Sequence, residues 1–279
     1  MDHKIGRRAR MQRPALLRVT PVGLRTRLYF HLYRSRRAQF SALYESAPLH
    51  YAPGMRMRLM PSDEGHSCIA LTGVYEPVLT RQLVRTAQKG GVLVDVGANY
   101  GYYSLLWAAQ GSDNRVMAFE ASPRNHQQLL HNLDTNGVAS QVEVHQLAMG
   151  QAQGQLQFDL GPAEQSGWGG FASSASAHHV SVDVMRLDQV WQREQDIAAL
   201  KIDVEGADTW VLRGAEGLLR QRRVGVIYFE QNKPRMEALG IAPSEAVEFL
   251  HDVGYEARPM SNPKLDLVEY SAVARAGAR

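Results

Sequence analysis

The sequence predicts an α/β fold, in which helices cover both faces of a mostly parallel sheet of seven strands that ends in an antiparallel C-terminal hairpin. From residue 92 to residue 252, short apolar segments alternate with segments of helical spacing. This is the pattern of strands that are buried on both faces. The last two strand segments, 255–260 and 267–273, are joined by a turn too short for a crossover helix, so we expect them to pair antiparallel.

Each element of this alternation has a signal of its own. The first strand is apolar apart from one acid, and the helices carry their apolar residues on one side. Gly90 and Gly91 end the first of these helices, and Gly137 ends another. The predicted strands are 92–96, 115–119, 142–147, 199–202, 224–229, 255–260 and 267–273, and the predicted helices are 76–88, 102–110, 123–136, 209–220 and 244–252.

Charge is distributed unevenly along the chain. Of 31 basic and 28 acidic side chains, eleven basic ones and a single acid, Asp2, lie in residues 1–37. Residues 26–46 carry apolar side chains near helical spacing, which predicts a basic amphipathic helix. Two interpretations follow: a solvated helix that covers an edge of the main domain, or peripheral contact of residues 1–46 with an anionic membrane.

We divide the chain into a basic, partly helical N-terminal extension, residues 1–50, and a main domain, residues 51–279. Residues 1 to about 25 are expected to be loosely structured. Within the main domain, segments 55–60 and 67–72 alternate or run apolar, which predicts two short strands. The one cysteine, Cys68, is expected to be a small buried side chain, and a single cysteine agrees with a cytoplasmic location.

Glycine, serine and alanine interrupt the alternation between residues 148 and 190. Within this stretch we expect edge strands near 155–160 and 179–184, and a glycine-rich loop over the site between them. Trp168 and Phe171 lie in that loop, where they would stack on a sugar ring or an aromatic acceptor. The alternative is that they anchor the loop by packing.

A glycine turn follows the first strand. Gly97 and Gly101 stand where the strand turns into a helix, and glycine there permits positive φ and close approach of a ligand. Glu120 ends the second strand, where a carboxylate can accept two hydrogen bonds from a ribose diol. A dinucleotide site needs glycine at the positions of Asn99 and Tyr102, whose side chains obstruct a pyrophosphate.

The acid in this strand completes the pattern. Asp95 would repel a pyrophosphate and instead suits the ammonium group of a methionine moiety. The combination of Asp95, the glycine turn and Glu120 therefore predicts S-adenosylmethionine as the ligand and disfavours a dehydrogenase. The predicted cofactor-binding residues are Asp95, Gly97, Asn99, Gly101 and Glu120.

Three ordered motifs resemble the FkbM family of methyltransferases. They are Asp-Val-Gly-Ala-Asn-x-Gly at 95–101, Ala-Phe-Glu-Ala-Ser-Pro at 118–123, and Leu-Lys-Ile-Asp-Val-Glu-Gly-Ala-Asp at 200–208. The resemblance covers roughly residues 74–260. It implies a Rossmann-like class I methyltransferase fold, S-adenosylmethionine as the methyl donor, and O-methylation of sugars or natural products. It places the five residues named above around the donor, and Lys201, Asp203 and Glu205 at the end of the fourth strand.

The fourth strand is expected beside the first, so that its carboxyl end faces the same crevice. Lys201, Asp203 and Glu205 alternate, and they share one face if the strand continues through them. A hydroxyl acceptor benefits from a general base, for which Asp203 is the first candidate, and Lys201 would hold it charged. Glu205 and Glu230, which ends the fifth predicted strand, are the other candidates. The alternatives are a helix cap for Asp203 and a solvated strand end for Glu230.

Two further interpretations concern the same crevice. His178 and His179 follow the glycine-rich loop, and an imidazole is well matched to base catalysis at neutral pH. The carboxylates after the fourth and fifth strands would also suit Mg²⁺. The missing His/Asp ligand motif and the competing Lys201 favour a site without metal.

The sequence therefore predicts an S-adenosylmethionine-dependent methyltransferase that O-methylates a saccharide, a glycolipid or a secondary metabolite. One alternative is a nucleic-acid methyltransferase, suggested by the Arg-rich start. Asp203-Val-Glu-Gly stands where DNA amino-methyltransferases commonly carry Asn/Asp-Pro-Pro-aromatic, and its acids would repel phosphates. The other alternative is a non-catalytic binding module, against which the intact Asp95, Glu120 and Asp203 argue.

Overall fold

The computed structural model describes residues 12–162, 165–171 and 179–276. The chain divides into two compact units, Met1–Pro77 and Val78–Arg279. This division falls later in the chain than the boundary drawn from the sequence. Across the described residues, no helix combines the length and the apolar character that crossing a bilayer requires.

The described part of the first unit is mostly helical. Helical structure already begins at Ala15, so the expectation of a loose segment is wrong for residues 15–25, and its first eleven residues lie outside the described residues. Residues 26–46 are helical over most of their length, as predicted. The helices are α1 (Ala15–Val19), α2 (Val22–Leu28), α3 (Ser41–Tyr44) and α4 (Glu64–Thr72), with a π-helical segment (Tyr29–Tyr33) and a 3-10 segment (Arg34–Phe40) between α2 and α3, and the strands are β1 (Ala47–Pro48) and β2 (Arg56–Met57).

The strand predicted at 67–72 is wrong, because these residues belong to α4. The Asp63 side chain accepts a hydrogen bond from the backbone N–H of His66 at 2.9 Å and caps this helix. All residues from His66 to Thr72 are buried. A helix buried on every side shows no apolar period, so its sequence resembles that of a buried strand. Cys68 is buried as predicted, and burial raises the pKa of its thiol to about 11.

The second unit contains two sheets in its described part, and helices connect the strands. Its strands are β3 (Val92–Val96), β4 (Arg115–Phe119), β5 (Val142–His145), β6 (Ala148–Met149), β7 (Gly154–Asp159), β8 (Gly170–Phe171), β9 (His179–Met185), β10 (Ile197–Ile202), β11 (Val224–Asn232), β12 (Tyr255–Pro259) and β13 (Leu267–Ala274). Its helices, of which the first begins at the boundary, are α5 (Pro77–Ala87), α6 (Tyr102–Ala108), α7 (Pro123–Thr135), α8 (Leu187–Val190), α9 (Asp208–Gly214), α10 (Glu216–Arg220), α11 (Lys233–Ala238) and α12 (Glu245–Asp252).

The larger sheet has seven strands in the order β12-β13-β11-β10-β3-β4-β5. Strands β11, β10, β3, β4 and β5 run parallel, and β13 pairs antiparallel with both β11 and β12. This confirms the predicted sheet, the C-terminal hairpin and the position of β10 beside β3. Val94, Leu200 and Ile227 of this sheet belong to one buried apolar cluster with Leu212 of α9 and Leu250 of α12.

The smaller sheet has four strands in the order β6-β9-β7-β8. The two segments predicted as edge strands, now β7 and β9, pair with each other over six residue pairs instead of extending the larger sheet. Ala148, Val182 and Val184 form a small core of their own, which gives these strands a separate apolar face. The Ser/Ala run at 172–177 and His178 lie outside the described residues.

Candidate active site

A cleft opens at the carboxyl ends of β3, β4 and β10. Its volume, counted together with its opening to solvent, is about 590 Å³. Ligands of open α/β sheets bind at this edge. The side chains of its polar lining come from the predicted motifs, from the start of α7 and from the segment after β7: Asn99, Glu120, Asn125, Ser166, Asp203 and Glu205.

The glycine turn after β3 has the left-handed backbone that the sequence predicts. The φ angles of Gly97, Asn99 and Gly101 are 75°, 50° and 90°. A Cβ on Gly97 would lie 1.9 Å from the carbonyl oxygen of Asp203, and one on Gly101 would lie 2.5 Å from Cδ1 of Leu129. Both glycines are therefore required for packing within the protein. Their close approach to a ligand stays a prediction.

Glu120 links the glycine turn to the start of α7. Its Oε2 accepts a hydrogen bond from the backbone N–H of Asn99 at 2.7 Å, and its Oε1 accepts one from Ser122 N–H at 2.9 Å. Burial raises the pKa of Glu120 to about 7. Each carboxylate oxygen keeps a second acceptor position, so the predicted contact with a ribose diol remains available at the cleft.

Asp95 is fully buried and is not among the residues that line the cleft. Its Oδ2 accepts a hydrogen bond from Ser104 Oγ at 2.7 Å, and its Oδ1 lies 3.7 Å from Nζ of Lys201. Burial raises the pKa of Asp95, and the charge of Lys201 opposes that rise. Its contacts are thus with protein groups, and its predicted contact with an ammonium group stays a prediction.

Lys201 joins the ends of β3 and β10. Its Nζ donates hydrogen bonds to Gly97 O at 3.1 Å and to Asp203 Oδ2 at 3.3 Å. The side chain is only 3% exposed, and Nζ lies 5.2 Å from the centre of the Tyr103 ring. Lys201 therefore balances two carboxylates, Asp95 and Asp203, and it fixes the carboxylate at the cleft in one orientation.

The face expected to be shared by Lys201, Asp203 and Glu205 does not form, because β10 ends at Ile202. Glu205 instead adopts a left-handed conformation with φ of 55°. That turn still brings Asp203 and Glu205 to the lining of the cleft. Burial, together with the charge of Asp203, raises the pKa of Glu205 to about 8. Its Oε2 lies 3.0 Å from Asn232 Nδ2.

The placement predicted for Glu230 is wrong. Strand β11 continues to Asn232, so Glu230 lies within the strand and is not among the residues that line the cleft. Its backbone N–H donates to Oδ1 of Asp208 at 2.9 Å. Asp208 itself was missed, although it ends the third motif. It is nearly fully buried, and burial raises its pKa to about 7.

Residues 165–171, which we call the covering segment, contribute Ser166, Gly167, Gly169 and Phe171 to the lining, as predicted for a loop over the site. Two side chains that the sequence interpretation missed hold this segment. Asn125 Nδ2 donates to Ser166 O at 2.8 Å, and Arg235 Nη2 donates to Trp168 O at 2.9 Å.

Several aromatic side chains belong to this part of the unit. The Trp168 side chain is 56% exposed. The Phe171 ring lies 5.6 Å from the ring of Trp210. Phe171 is therefore packed as the anchoring alternative requires, whereas Trp168 remains accessible to a ligand.

The geometry lends no support to the two other interpretations of the crevice, which are base catalysis by His178 or His179 and a metal site. His179 pairs with Asp159 in the smaller sheet and does not line the cleft, and His178 lies outside the described residues. Among the residues that the structure describes, no group of three or more His, Cys, Asp or Glu side chains is arranged to hold a metal ion.

The chemistry of the cleft fits a cationic ligand that carries hydrogen-bond donors. Its ionisable lining consists of three carboxyl groups, those of Glu120, Asp203 and Glu205, and within the described residues no lysine or arginine lines it. Behind the lining, Lys201 Nζ lies 3.3 Å from Asp203 Oδ2 and Arg235 Nε lies 3.3 Å from Glu205 Oε2. Asn99 Oδ1 is a buried acceptor without a hydrogen-bond partner in the described structure. An ammonium group would satisfy that acceptor, and a sulfonium would be attracted by the carboxylates. A pyrophosphate would be repelled.

The order of the larger sheet, its single antiparallel strand β13 and the cleft at the ends of β3, β4 and β10 define a class I methyltransferase fold. The chain belongs to the FkbM methyltransferase family, because the family model "Methyltransferase FkbM domain" matches residues 95–257, more than half of the chain. Membership of this family implies S-adenosylmethionine as the cofactor.

Individual relatives are more distant. "Methyltransferase 1" of Beauveria bassiana (strain ARSEF 2860) is 26% identical in an alignment 145 residues long, which covers 44% of this chain and 58% of that protein. The match thus spans little more than half the length of that relative. A putative O-methyltransferase from Klebsiella pneumoniae is 18% identical with a TM-score of 0.43, over 73% of this chain and 82% of that one. The O-methyltransferase from Bacillus cereus in complex with SAH is 15% identical with a TM-score of 0.42, over 72% and 83%.

Proposed function

We propose that this chain is an S-adenosylmethionine-dependent methyltransferase that methylates a hydroxyl group of a saccharide, a glycolipid or a secondary metabolite. The observation that carries the proposal is the cleft beside the glycine turn, whose ionisable lining groups are all carboxyl groups. A sulfonium donor carries a positive charge, which such a lining stabilises. Nucleotide cofactors with bridged phosphates carry negative charge, which such a lining repels. A cytoplasmic location, which the single Cys68 favours, belongs to the same proposal.

The donor would be held by residues on two strand ends. Asn99 Oδ1, which has no partner of its own, would accept a hydrogen bond from the ammonium group of the methionine moiety. Glu120 would use its remaining acceptor positions for the ribose hydroxyls. Bound S-adenosylmethionine supplies an electrophilic methyl group on a positively charged sulfur.

Asp203 is the proposed general base. Its side chain is 28% exposed and lines the cleft, so an acceptor hydroxyl can reach it. The carboxylate of Asp203 would take the proton of an acceptor hydroxyl, while the bound donor would supply the methyl group and its sulfur would leave with the electron pair of the C–S bond. Lys201 lies 3.3 Å from Asp203 Oδ2 and would orient this carboxylate for the transfer. Lys201 is therefore a positioning residue, whereas Asp203 is the catalytic residue.

A saccharide acceptor is supported by the arrangement near the mouth of the cleft. Trp168 is exposed, and its carbonyl oxygen is fixed by Arg235, so the segment that carries the indole ring is tethered. Sugar rings stack on exposed aromatic faces with their C–H groups, and carboxylates bind their hydroxyl groups. Glu205 lies next to the covering segment, because a Cβ built on Gly170 would be 3.4 Å from the Cβ of Glu205. Glu205 therefore brings such a carboxylate near this segment.

The experiment combines donor binding and turnover on the full chain. Calorimetry should show binding of S-adenosylmethionine and none of NAD. Incubation of labelled donor with cell extract fractions, followed by mass spectrometry, should then identify an O-methylated product. Asp203→Asn should lower kcat at least about 100-fold, as expected for loss of a general base, with donor affinity nearly unchanged. Asp113→Asn, at an exposed aspartate outside the cleft lining, is the matched control.

Different failures contradict different parts of the proposal. Full turnover in Asp203→Asn would remove Asp203 from the mechanism. A chain that binds the donor but labels no acceptor would favour a binding module. Labelled polynucleotide, or binding to it that weakens steeply with salt, would favour a nucleic-acid substrate. Binding of NAD in place of the sulfonium donor would refute the proposal as a whole.

A further inference from the structure

The first unit exposes an unusual number of large apolar side chains. Twelve large apolar residues are exposed among the described residues, and five of them lie between Leu16 and Leu32. This stretch of seventeen residues therefore carries nearly half of the exposed large apolar side chains. Scattered exposed leucines are normal in soluble domains, but a concentration of this kind marks an interaction surface. The five side chains, exposed by 42% to 79%, are Leu16, Val19, Leu24, Phe30 and Leu32.

Part of this set follows one side of the helical backbone. Leu24 and Leu32 are separated by eight residues, and the half-buried Leu28 lies midway between them. Side chains four residues apart are neighbours on a helical surface. The buried side of the same segment is occupied by Tyr29, which is fully buried within the unit. Leu24 and Leu32 are thus 50% and 42% exposed, whereas Tyr29 of the same segment is fully buried.

The same segment is strongly basic. Residues 15–44 contain six arginines and no acidic residue. Arg18, Arg27 and Arg36 are exposed among the apolar side chains. Arg34, in contrast, pairs with Glu64 at 2.7 Å and so serves the unit itself.

We infer that residues 15–44 form a docking surface for a lipid bilayer that contains anionic lipids. Exposed leucine and phenylalanine side chains insert at the boundary between headgroups and acyl chains, and arginines pair with the anionic headgroups. A polynucleotide would match the positive charge equally well. It would leave the apolar side chains in water, since binding to the phosphate backbone is electrostatic. The combination of both features therefore selects a membrane surface.

This inference is independent of methyl transfer, because it concerns the first unit and no residue of the cleft. A glycolipid is the member of the proposed acceptor classes that resides in a membrane, and this link rests on the proposed function.

The test is cosedimentation of the full chain with vesicles. Vesicles of 30% phosphatidylserine in phosphatidylcholine, a composition chosen for the assay, should bind the chain, and pure phosphatidylcholine vesicles should bind it weakly. Binding should weaken as salt rises. Arg27→Gln with Arg36→Gln should lower the affinity by about fivefold for each arginine removed. Leu24→Ser with Leu32→Ser should lower it roughly fivefold or more through lost apolar burial.

The matched control is Leu265→Ser with Leu267→Ser, which removes two equally exposed leucines from the second unit. This variant should bind vesicles as the unchanged chain does. Thermal unfolding of all variants confirms that each remains folded, as surface substitutions allow. The inference is refuted by equal binding to neutral and anionic vesicles, or by leucine variants that bind as before. It is also refuted by tighter binding to a polynucleotide than to vesicles, or by a dimer of this chain that the leucine variants dissociate.

Discussion

Replacing Lys201 by methionine tests how this site is held together. The side chain is 3% exposed, and its Nζ lies 3.7 Å from Asp95 Oδ1 and 3.3 Å from Asp203 Oδ2. Methionine keeps most of the volume of lysine and removes the charge and all three donors. Asp203 reaches solvent and can be hydrated after the change. Asp95 is fully buried and cannot.

The expected loss of stability follows from that difference. Removing one member of a buried ion pair typically costs about 3–5 kcal/mol, because the remaining charge is left without compensation. Asp95 keeps its hydrogen bonds from Ser104, of which the one from Oγ is 2.7 Å long, and Gly97 O loses its donor at 3.1 Å. For a domain of this size, such a change lowers Tm by roughly 6–20 °C. Part of the loss should return at low pH, where Asp95 takes up a proton.

The assay is urea denaturation of the full chain followed by circular dichroism, at pH 7.5 and at pH 5. Lys201→Met combined with Asp95→Asn is the informative second variant, since it removes the uncompensated charge. This double variant should be clearly more stable than Lys201→Met alone. Lys89→Met, at an exposed lysine, should stay within about 0.5 kcal/mol of the unchanged chain. A cost below about 1 kcal/mol for Lys201→Met, or a double variant that is no more stable, would refute the reasoning.

Three further predictions concern the turn, the acids and the covering segment. Gly97→Ala should lower the free energy of unfolding by at least about 2 kcal/mol and weaken donor binding, because a Cβ at this position has no room. The control is Gly137→Ala, at a position with a φ of 68° and open space around it, which should lower the free energy of unfolding by only about 1 kcal/mol in the same denaturation assay. Burial raises the pKa of Glu120 to about 7 and that of Glu205 to about 8, so the folded chain without donor retains protons that the unfolded chain releases near 4.5. Tm should therefore fall as pH rises from 5 to 8, while donor affinity measured by calorimetry increases. Glu205→Gln should weaken the pH dependence of both Tm and donor affinity near pH 8. A Tm that this group raises with increasing pH would contradict the prediction. Arg235→Gln should speed amide hydrogen exchange in the covering segment and weaken donor binding several-fold, and unchanged exchange would show that this arginine does not hold the segment.

Local sequence was sufficient for the larger sheet. The predicted bounds 92–96 and 115–119 agree with β3 and β4. Both strands are buried on two faces, so a short apolar run between polar ends is all that the fold requires. The positive φ angles of Gly97 and Gly101 were equally predictable, because the distance between strand and helix leaves no other backbone path.

Errors arose where partners are distant in sequence. The apolar run at 67–72 is a helix, since only contacts from the rest of the first unit show that it is buried all round. The partner of β7 is β9, more than twenty residues later, and no local pattern distinguishes that pairing from addition to the larger sheet. Glu230 was misplaced because β11 continues three residues beyond the apolar segment that predicted it.

The sequence by itself determined the α/β class, the turn after β3 and the acids that stand at the strand ends, because these features depend on local period, glycine and spacing along the chain. Only the tertiary structure decided what each acid contacts. Asp95 turned out to lie beneath the cleft against Lys201, whereas Asp203 and Glu205 line it. Burial and charge pairing are sums over neighbours brought together by the sheet, so no reading of adjacent residues can supply them.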